Sequence, residues 1–357
     1  SKPKRKNGIT YNSQKKRSVT MSIRIGLIGA GRMGQVFAHH LAYSVTEADL
    51  VAVGDIDPTL AQETAARFGA QASYSDYNRL LAREDIDAVV IATPTHTHPE
   101  VIIAAAQAGV HIFSEKPLAL TLEACDRANA AVEAAEVKFQ LGFMRRFDPG
   151  YVLAKKQIEA GVIGKPVMFK SIGRDPKRTS LEFARRENSG GLIADMGVHD
   201  FDLARWLMDS EVERVSTEGG CLVYPELEGV GDIDNAVINL KFENGAIGNI
   251  DVSRNAVYGY DIRTEILGSD GGLMIGKMQE TPVLVMTRAG ISHDTVPYFM
   301  QRFGEAYAAE IRAFIRCIVE DLQPEVSGKD GWSATAIGLA ATISLDEKRP
   351  VYLSELK

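Results

Sequence analysis

The sequence predicts an α/β protein: a doubly wound parallel sheet, followed by an α+β domain whose open sheet is mostly antiparallel. Three observations carry this expectation. An apolar run ends in Gly29-x-Gly31-x-x-Gly34 and passes into a helical pattern. Strand and helix patterns then alternate from residue 21 to about 143. Beyond about 145, strand-like runs follow one another, and Asn244-Gly245, a strong hairpin signal, stands between two of them.

The first unit opens with a buried-strand pattern at 23–28 (Ile25, Leu27, Ile28). A helix pattern follows (Val36, Phe37, His40, Leu41), and a second strand, Leu50 to Val53, leads to Asp55. A glycine motif alone is weak evidence. Between a strand and a helix, with an acid after the next strand, it has the full context of a Rossmann dinucleotide-binding unit. Gly29 permits the tight turn, Gly31 lets the backbone approach a pyrophosphate, and Gly34 lets the helix pack on the strand. The helix N-terminus offers free N–H groups and a positive dipole to phosphates. Gly29, Ala30, Gly31, Arg32, Met33 and Gly34 are therefore candidate cofactor contacts. Asp55 stands where a carboxylate meets the adenosine ribose. The bland alternative is a glycine-rich turn that binds nothing.

Further strands are expected at 88–92, 110–113 and 137–141. A helix at 99–108 has Pro99 in its first turn and Gly109 after its end. Another starts at Thr121, a suitable N-cap, with Glu123 in its first turn. In the second unit, strands are expected at 167–172, 212–222, 235–242, 246–252, 261–267 and 272–275. Helices are expected at 147–160, 193–208, 304–321 and 331–345. These patterns divide the chain into a tail over 1–20, a dinucleotide-binding domain over 21–143, and a substrate-binding and oligomerisation domain over 144–357.

At 357 residues the chain is long enough for two domains, and 45% apolar residues describe an ordinary globular protein. The formal net charge of -7 offers nothing to attract nucleic acid. Lys2, Lys4, Arg5, Lys6, Lys15, Lys16 and Arg17 make residues 1–20 a basic tail with little to bury, expected to be disordered, and Met21 looks like a natural start. No segment approaches the roughly 20 consecutive apolar residues of a membrane span. Cys125, Cys221 and Cys317 are scattered and form no C-x-x-C, which fits a reducing cytoplasm better than a disulfide framework or a zinc site.

Three groups could carry chemistry. Glu115-Lys116-Pro117 follows the strand Val110 to Phe113, and in open α/β sheets ligands bind at the carboxyl ends of strands. The alternative for Lys116 is a solvated surface lysine. Asp195 and His199 are four apart and would share one helix face, where a carboxylate orients an imidazole as general base. The alternative is an ordinary helical pair. Thr93-Pro94-Thr95-His96-Thr97-His98 ends the 88–92 strand, so Thr93, Pro94 and His98 are candidate cofactor neighbours. His-x-His also invites a metal reading, but no cysteine lies nearby to complete the usual ligand set, and no metal is expected.

Together these features resemble the glucose-fructose oxidoreductase and inositol dehydrogenase family, the Gfo/Idh/MocA group, over essentially all of 21–357. The specific marks are Gly29-Ala-Gly-Arg-Met-Gly34, Glu115-Lys116-Pro117 and Asp195-x-x-x-His199. Within the family, Gly142-Phe-Met-Arg-Arg-Phe-Asp148, Met196-Gly-Val-His-Asp-Phe-Asp202, Tyr258-Gly-Tyr-Asp261, Gln301-Arg-Phe303 and Ala306-Tyr307 are similar to segments of inositol 2-dehydrogenases. The basic tail has no counterpart in the family pattern.

The resemblance implies NAD as cofactor, a polyol substrate, and oxidation of an inositol ring hydroxyl to a keto-inositol. Lys116, Asp195 and His199 would form the active-site set, with Glu115 beside the cofactor and Arg146 and Tyr258 as substrate contacts. It also implies a homotetramer with open sheet faces packed between subunits. Two other functions stay open: dehydrogenation of another cyclic polyol or a nucleotide sugar, and a non-catalytic dinucleotide sensor.

Overall fold

The computed structural model describes residues 22–356. The basic segment 1–20, expected to be a disordered tail, lies outside the described residues. The first sheet holds β1 (Ile23–Ile28), β2 (Ala48–Gly54), β3 (Ala72–Tyr74), β4 (Ala88–Ile91), β5 (His111–Glu115) and β6 (Phe139–Gly142). All its pairings are parallel, in the order β3-β2-β1-β4-β5-β6. The order reverses between β1 and β4, which opens a crevice at the carboxyl ends of these strands. β4 is buried at every residue, as a parallel strand covered on both faces must be. The helix His98–Gln107 ends before Gly109 as expected, and Thr121 accepts the Ala124 amide at the start of the helix Leu122–Ala135.

The second unit contains β7 (Pro166–Arg174), β8 (Val212–Gly220), β9 (Asn235–Phe242), β10 (Ile247–Ser253), β11 (Asp261–Gly268) and β12 (Gly272–Gly276). After these come a hairpin, β13 (Leu284–Thr287) and β14 (Gly290–His293), and the short β15 (Val351–Tyr352). The large sheet runs β12-β11-β7-β10-β9-β8-β15. Its only parallel pair is β7 with β10; the rest is antiparallel, matching the expected class. Asn244-Gly245 forms the β9–β10 turn, with the Asn244 side chain accepting the Ala246 amide.

Alternation decides which face is buried. Ala236, Ile238, Leu240 and Phe242 of β9 point inward, toward the helices Val198–Met208 and Gly328–Glu347, while Val237 stays exposed. The two units are tied together. Asn129 donates to the Gly328 carbonyl at 3.1 Å, and the Leu141 amide to the Val326 carbonyl at 3.2 Å. The C-terminal helix Gly328–Glu347 thus packs back on the first unit, and the helix Phe299–Val319 does the same through Gln140, which donates to the Glu310 carbonyl at 2.8 Å.

Candidate active site

The glycine loop has the geometry its spacing predicts. Gly29 has φ +95, and a Cβ there would lie 2.6 Å from the Ala92 carbonyl. A Cβ on Gly34 would lie 2.0 Å from the Gly29 carbonyl oxygen, so only glycine allows the helix to start so close to β1. At Gly31 a Cβ would meet nothing within 4 Å, because the residue faces a cavity of about 900 Å³. The helix Arg32–Tyr43 has no side-chain cap, so its first N–H groups are open to an anion. Gly29, Gly31, Arg32 and Met33 border the cavity, while Ala30 and Gly34 stand one layer behind.

Asp55 borders the same cavity at the end of β2. Its carboxylate accepts the Ala30 amide at 2.7 Å and the Asp57 amide at 2.9 Å, which fixes its orientation. Asp57 is spent on capping the helix Pro58–Phe68, accepting the Thr59 and Leu60 amides. Arg32 donates to the Tyr298 hydroxyl at 3.1 Å and lies over the Phe299 ring, 5.4 Å from its centroid. These restraints fix a carboxylate at the end of β2 and engage the loop arginine with Tyr298 and Phe299.

Thr93 and Pro94 border the cavity after β4, and His98 borders it from below. The His98 ring lies between two carbonyls, Pro117 at 2.8 Å and Thr93 at 2.9 Å, and burial pushes its pKa down. It ties the turn after β4 to the Glu-Lys-Pro turn after β5. Both ring nitrogens face backbone carbonyls, and the neutral ring donates to one of them.

Lys116 is not a surface lysine. Its side chain is 15% exposed, and its Nζ donates to the Asp195 carbonyl at 2.8 Å and to Asp195 Oδ1 at 3.2 Å. Glu115 accepts the Lys116 amide at 3.1 Å, and burial pushes its carboxyl up to about 7 against the pull of Lys116. Burial also pushes the Asp195 carboxyl up, but Lys116 and Arg254 pull it below the usual carboxylate range.

One expectation is corrected here. Asp195 does not hold His199. The segment Ile193–Gly197 is a π-turn, entered through Gly190 and Gly191 at positive φ and pinned where Asp232 accepts the Leu192 amide at 2.7 Å. Its wider i→i+5 winding breaks the i,i+4 stacking of a regular helix, and two cations take the Asp195 oxygens. His199 Nδ1 is buried without a partner, and the ring packs edge-on against Phe143. Burial, with Lys116 and Arg145, holds its pKa well below the ordinary imidazole value rather than at or above it. The ring is therefore neutral at pH 7 and borders the cavity.

Two proposed substrate contacts are also displaced. Arg146 points into the interior, donating to Asp202 at 2.8 Å and Asp330 at 2.8 Å, and does not border the cavity. The 3-10 turn Met144–Phe147 sends its neighbour Arg145 to the cavity instead, where Arg145 donates to Asp200 at 2.6 Å. Tyr258 stands on the outer sheet face, donating to Asp261 at 2.9 Å and accepting from Arg174 at 3.1 Å. The turn at Gly259, φ +138, precedes β11 and brings Tyr260 to the cavity. Asp175, just past β7, also borders it, its carboxyl pushed up to about 6 by burial against the pull of Arg254. Sequence reading missed Asp175 and Arg254, which stand alone outside any recognisable spacing.

The cavity therefore runs from Asp55, past an open helix N-terminus, to Lys116, Asp195 and His199. That is the order ribose, pyrophosphate, reacting ring, so these residues fit a bound dinucleotide. Comparisons with known proteins agree. Residues 23–143 match the oxidoreductase family's NAD-binding Rossmann fold, and residues 155–353 its C-terminal alpha/beta domain. The chain is 40% identical to scyllo-inositol 2-dehydrogenase (NAD(+)) of Bacillus subtilis, covering 93% of this chain and 96% of that protein. It is 40% identical to Myo-inositol 2-dehydrogenase of Thermotoga maritima, covering 94% and 99%. Scyllo-inositol dehydrogenase of Lactobacillus casei, solved with NAD(H) and scyllo-inositol, superposes with a TM-score of 0.89 at 32% identity, covering 93% of this chain and 99% of that one. Fold, glycine loop and full-length similarity converge: the chain belongs to the Gfo/Idh/MocA family of NAD-dependent oxidoreductases.

Proposed function

We propose that the protein oxidises a ring hydroxyl of an inositol to a keto-inositol. The observation that carries this reading is Lys116 at the end of the dinucleotide cavity, sharing that end with the neutral ring of His199. NAD, when bound, accepts hydride at C4 of its nicotinamide. The chain's task is to hold the reacting C–H bond against that carbon and to remove the hydroxyl proton. His199 Nε2 takes the proton. The Lys116 ammonium donates to the reacting oxygen and stabilises it more as negative charge develops than in the neutral alcohol. Asp195 holds Lys116 rather than His199. Asp175 supplies an acceptor for neighbouring ring hydroxyls. A nucleotide sugar would need free basic contacts, whereas Lys116 and Arg145 are each engaged with a carboxylate.

The test is absorbance at 340 nm with NAD and a panel of inositol stereoisomers, open-chain polyols and nucleotide sugars. Turnover is expected with at least one inositol and to exceed that of every other class. Turnover with nucleotide sugars alone overturns the substrate assignment. NAD binding without turnover on any substrate favours a sensor.

Asp55 sets the preference for NAD. In NADP the 2′-hydroxyl carries a phosphate of roughly -2 charge. Facing a fixed carboxylate, it meets a repulsion of about 1–4 kcal/mol per unit charge pair. With each 1.4 kcal/mol worth about tenfold, kcat/KM is expected to favour NAD at least about tenfold, and Asp55→Ser to narrow the ratio. Equal use of both cofactors by the wild type contradicts this.

The assembly we propose is a homotetramer in the cytoplasm. The outer face of the large sheet exposes Val237, Ile247 and Leu267, whereas Leu240 and Ile250 are buried inside. An antiparallel sheet with apolar residues on its uncovered face calls for a partner. Light scattering at micromolar concentration is expected to give four times the chain mass of 38.9 kDa, and a monomer contradicts it. Cys125, Cys221 and Cys317 are free thiols, a state that a reducing cytoplasm maintains. No helix among the described residues is long and apolar enough to cross a membrane.

A further inference from the structure

Arg254 is the largest fully buried side chain among the described residues, and nothing in the reaction as set out above uses it. It follows β10, where its amide donates to the Asp234 carbonyl at 2.9 Å. Its guanidinium donates to Asp195 Oδ2 at 3.1 Å, on the oxygen opposite the one that Lys116 engages. Its 2% exposed side chain does not border the cavity, so it stands behind Asp195 and touches neither substrate nor cofactor. One carboxylate thus serves two cations, one facing the cavity and one sealed behind it.

We propose that Arg254 is a positioning residue for the reaction: by holding one oxygen of Asp195 it keeps that carboxylate from closing fully on Lys116, and so leaves the ammonium aimed at the reacting oxygen. Without Arg254 both Asp195 oxygens would be available to the Lys116 ammonium, a compact charge with three donors. With Oδ2 held from behind, Lys116 keeps one carboxylate oxygen and the Asp195 carbonyl, which anchor the amine and leave its remaining N–H for the substrate. The net charge of the trio is positive, which suits a site that must stabilise a developing alkoxide.

The surrounding charges fit this role. On the β5 side stands Glu115, its carboxyl raised by burial against the pull of Lys116, with Glu310 buried beside it. From the end of β7 comes Asp175, from the glycine loop Arg32, and both act on the same centre. Asp232 faces Arg254 and Asp195 from the connection before β9, with burial raising its pKa. Arg145 and His199 complete the ring from the 3-10 turn and the helix after the π-turn. None of these gives the Asp195 carboxylate a second hydrogen-bonding cation from behind; Arg254 alone does so.

This inference rests on Lys116 acting at the reacting oxygen, so the wild-type enzyme must first turn over an inositol with NAD; if it does not, the proposed function fails before this inference is reached. Given wild-type turnover, Arg254→Gln is expected to lower kcat about 10–100-fold, as small displacements of a catalytic group do. KM for NAD should stay within about twofold. Arg254→Lys, which keeps a cation behind Asp195, should recover most of the rate. A merely structural arginine predicts a lower melting temperature with kcat per folded enzyme unchanged. That outcome overturns the proposal, as does an Arg254→Lys enzyme as slow as Arg254→Gln.

Discussion

Replacing Lys116 by methionine is expected to lower kcat for inositol oxidation at least about a hundredfold while leaving NAD affinity within about threefold of wild type. Losing one preorganised donor to a developing oxyanion costs about 2.7–4 kcal/mol in related chemistry. The effect is large here because the side chain is 15% exposed and its ammonium is held at two points by Asp195, so water cannot replace it at no loss. Affinity for NAD should survive because the loop that receives the pyrophosphate is built from backbone geometry at Gly29, Gly31 and Gly34, independent of Lys116. Measuring kcat by steady-state kinetics and NAD affinity by fluorescence separates the two effects. Turnover within threefold of wild type removes Lys116 from the chemistry.

His199→Ala should produce the second large effect, again about a hundredfold in kcat, the scale of general-base catalysis. The pH profile carries the diagnosis. The imidazole pKa is depressed by burial and by the charges of Lys116 and Arg145, so the neutral, proton-accepting form is present above that lowered value and is lost as pH falls through it. The acid limb of kcat/KM for the free enzyme should therefore lie below the ordinary imidazole value of about 6.5. A carboxylate held against His199 would place that limb at or above that value. The structure reverses the direction because Asp195 is engaged with Lys116 and Arg254. In His199→Ala the acid limb should flatten, leaving any residual slope to the buried carboxyls Glu115 and Asp175. An active variant with an unchanged limb assigns the proton to another group.

Much of the fold was legible because strong periodic signals coincide with burial. β1, β2, β4 and the Asn244-Gly245 hairpin fall where apolar runs and turn residues place them. The misses have local causes. β3 has three residues, too few for a pattern. β13 and β14 are exposed along their whole length, so no buried face writes a period into them. The helix Phe299–Val319 begins before the expected 304 because Gly304, inside its second turn, reads as a break.

In the site, the glycine loop, Asp55 and Lys116 were legible because backbone constraints and strand ends locate them. Arg146 and Tyr258 were not, since adjacent arginines within one 3-10 turn, and tyrosines separated by a glycine at positive φ, take different faces in ways that spacing does not record. The π-turn hides the fate of Asp195 for the same reason.

The central claim, hydride transfer from an inositol carbon to NAD, is tested most directly with inositol deuterated at its ring carbons. The reaction should yield NADH carrying one deuterium at C4 of the nicotinamide, seen by mass spectrometry and NMR, together with an equal amount of keto-inositol and a primary isotope effect in single turnover. NADH free of deuterium, or no NADH with any inositol under conditions where NAD binds, contradicts the account.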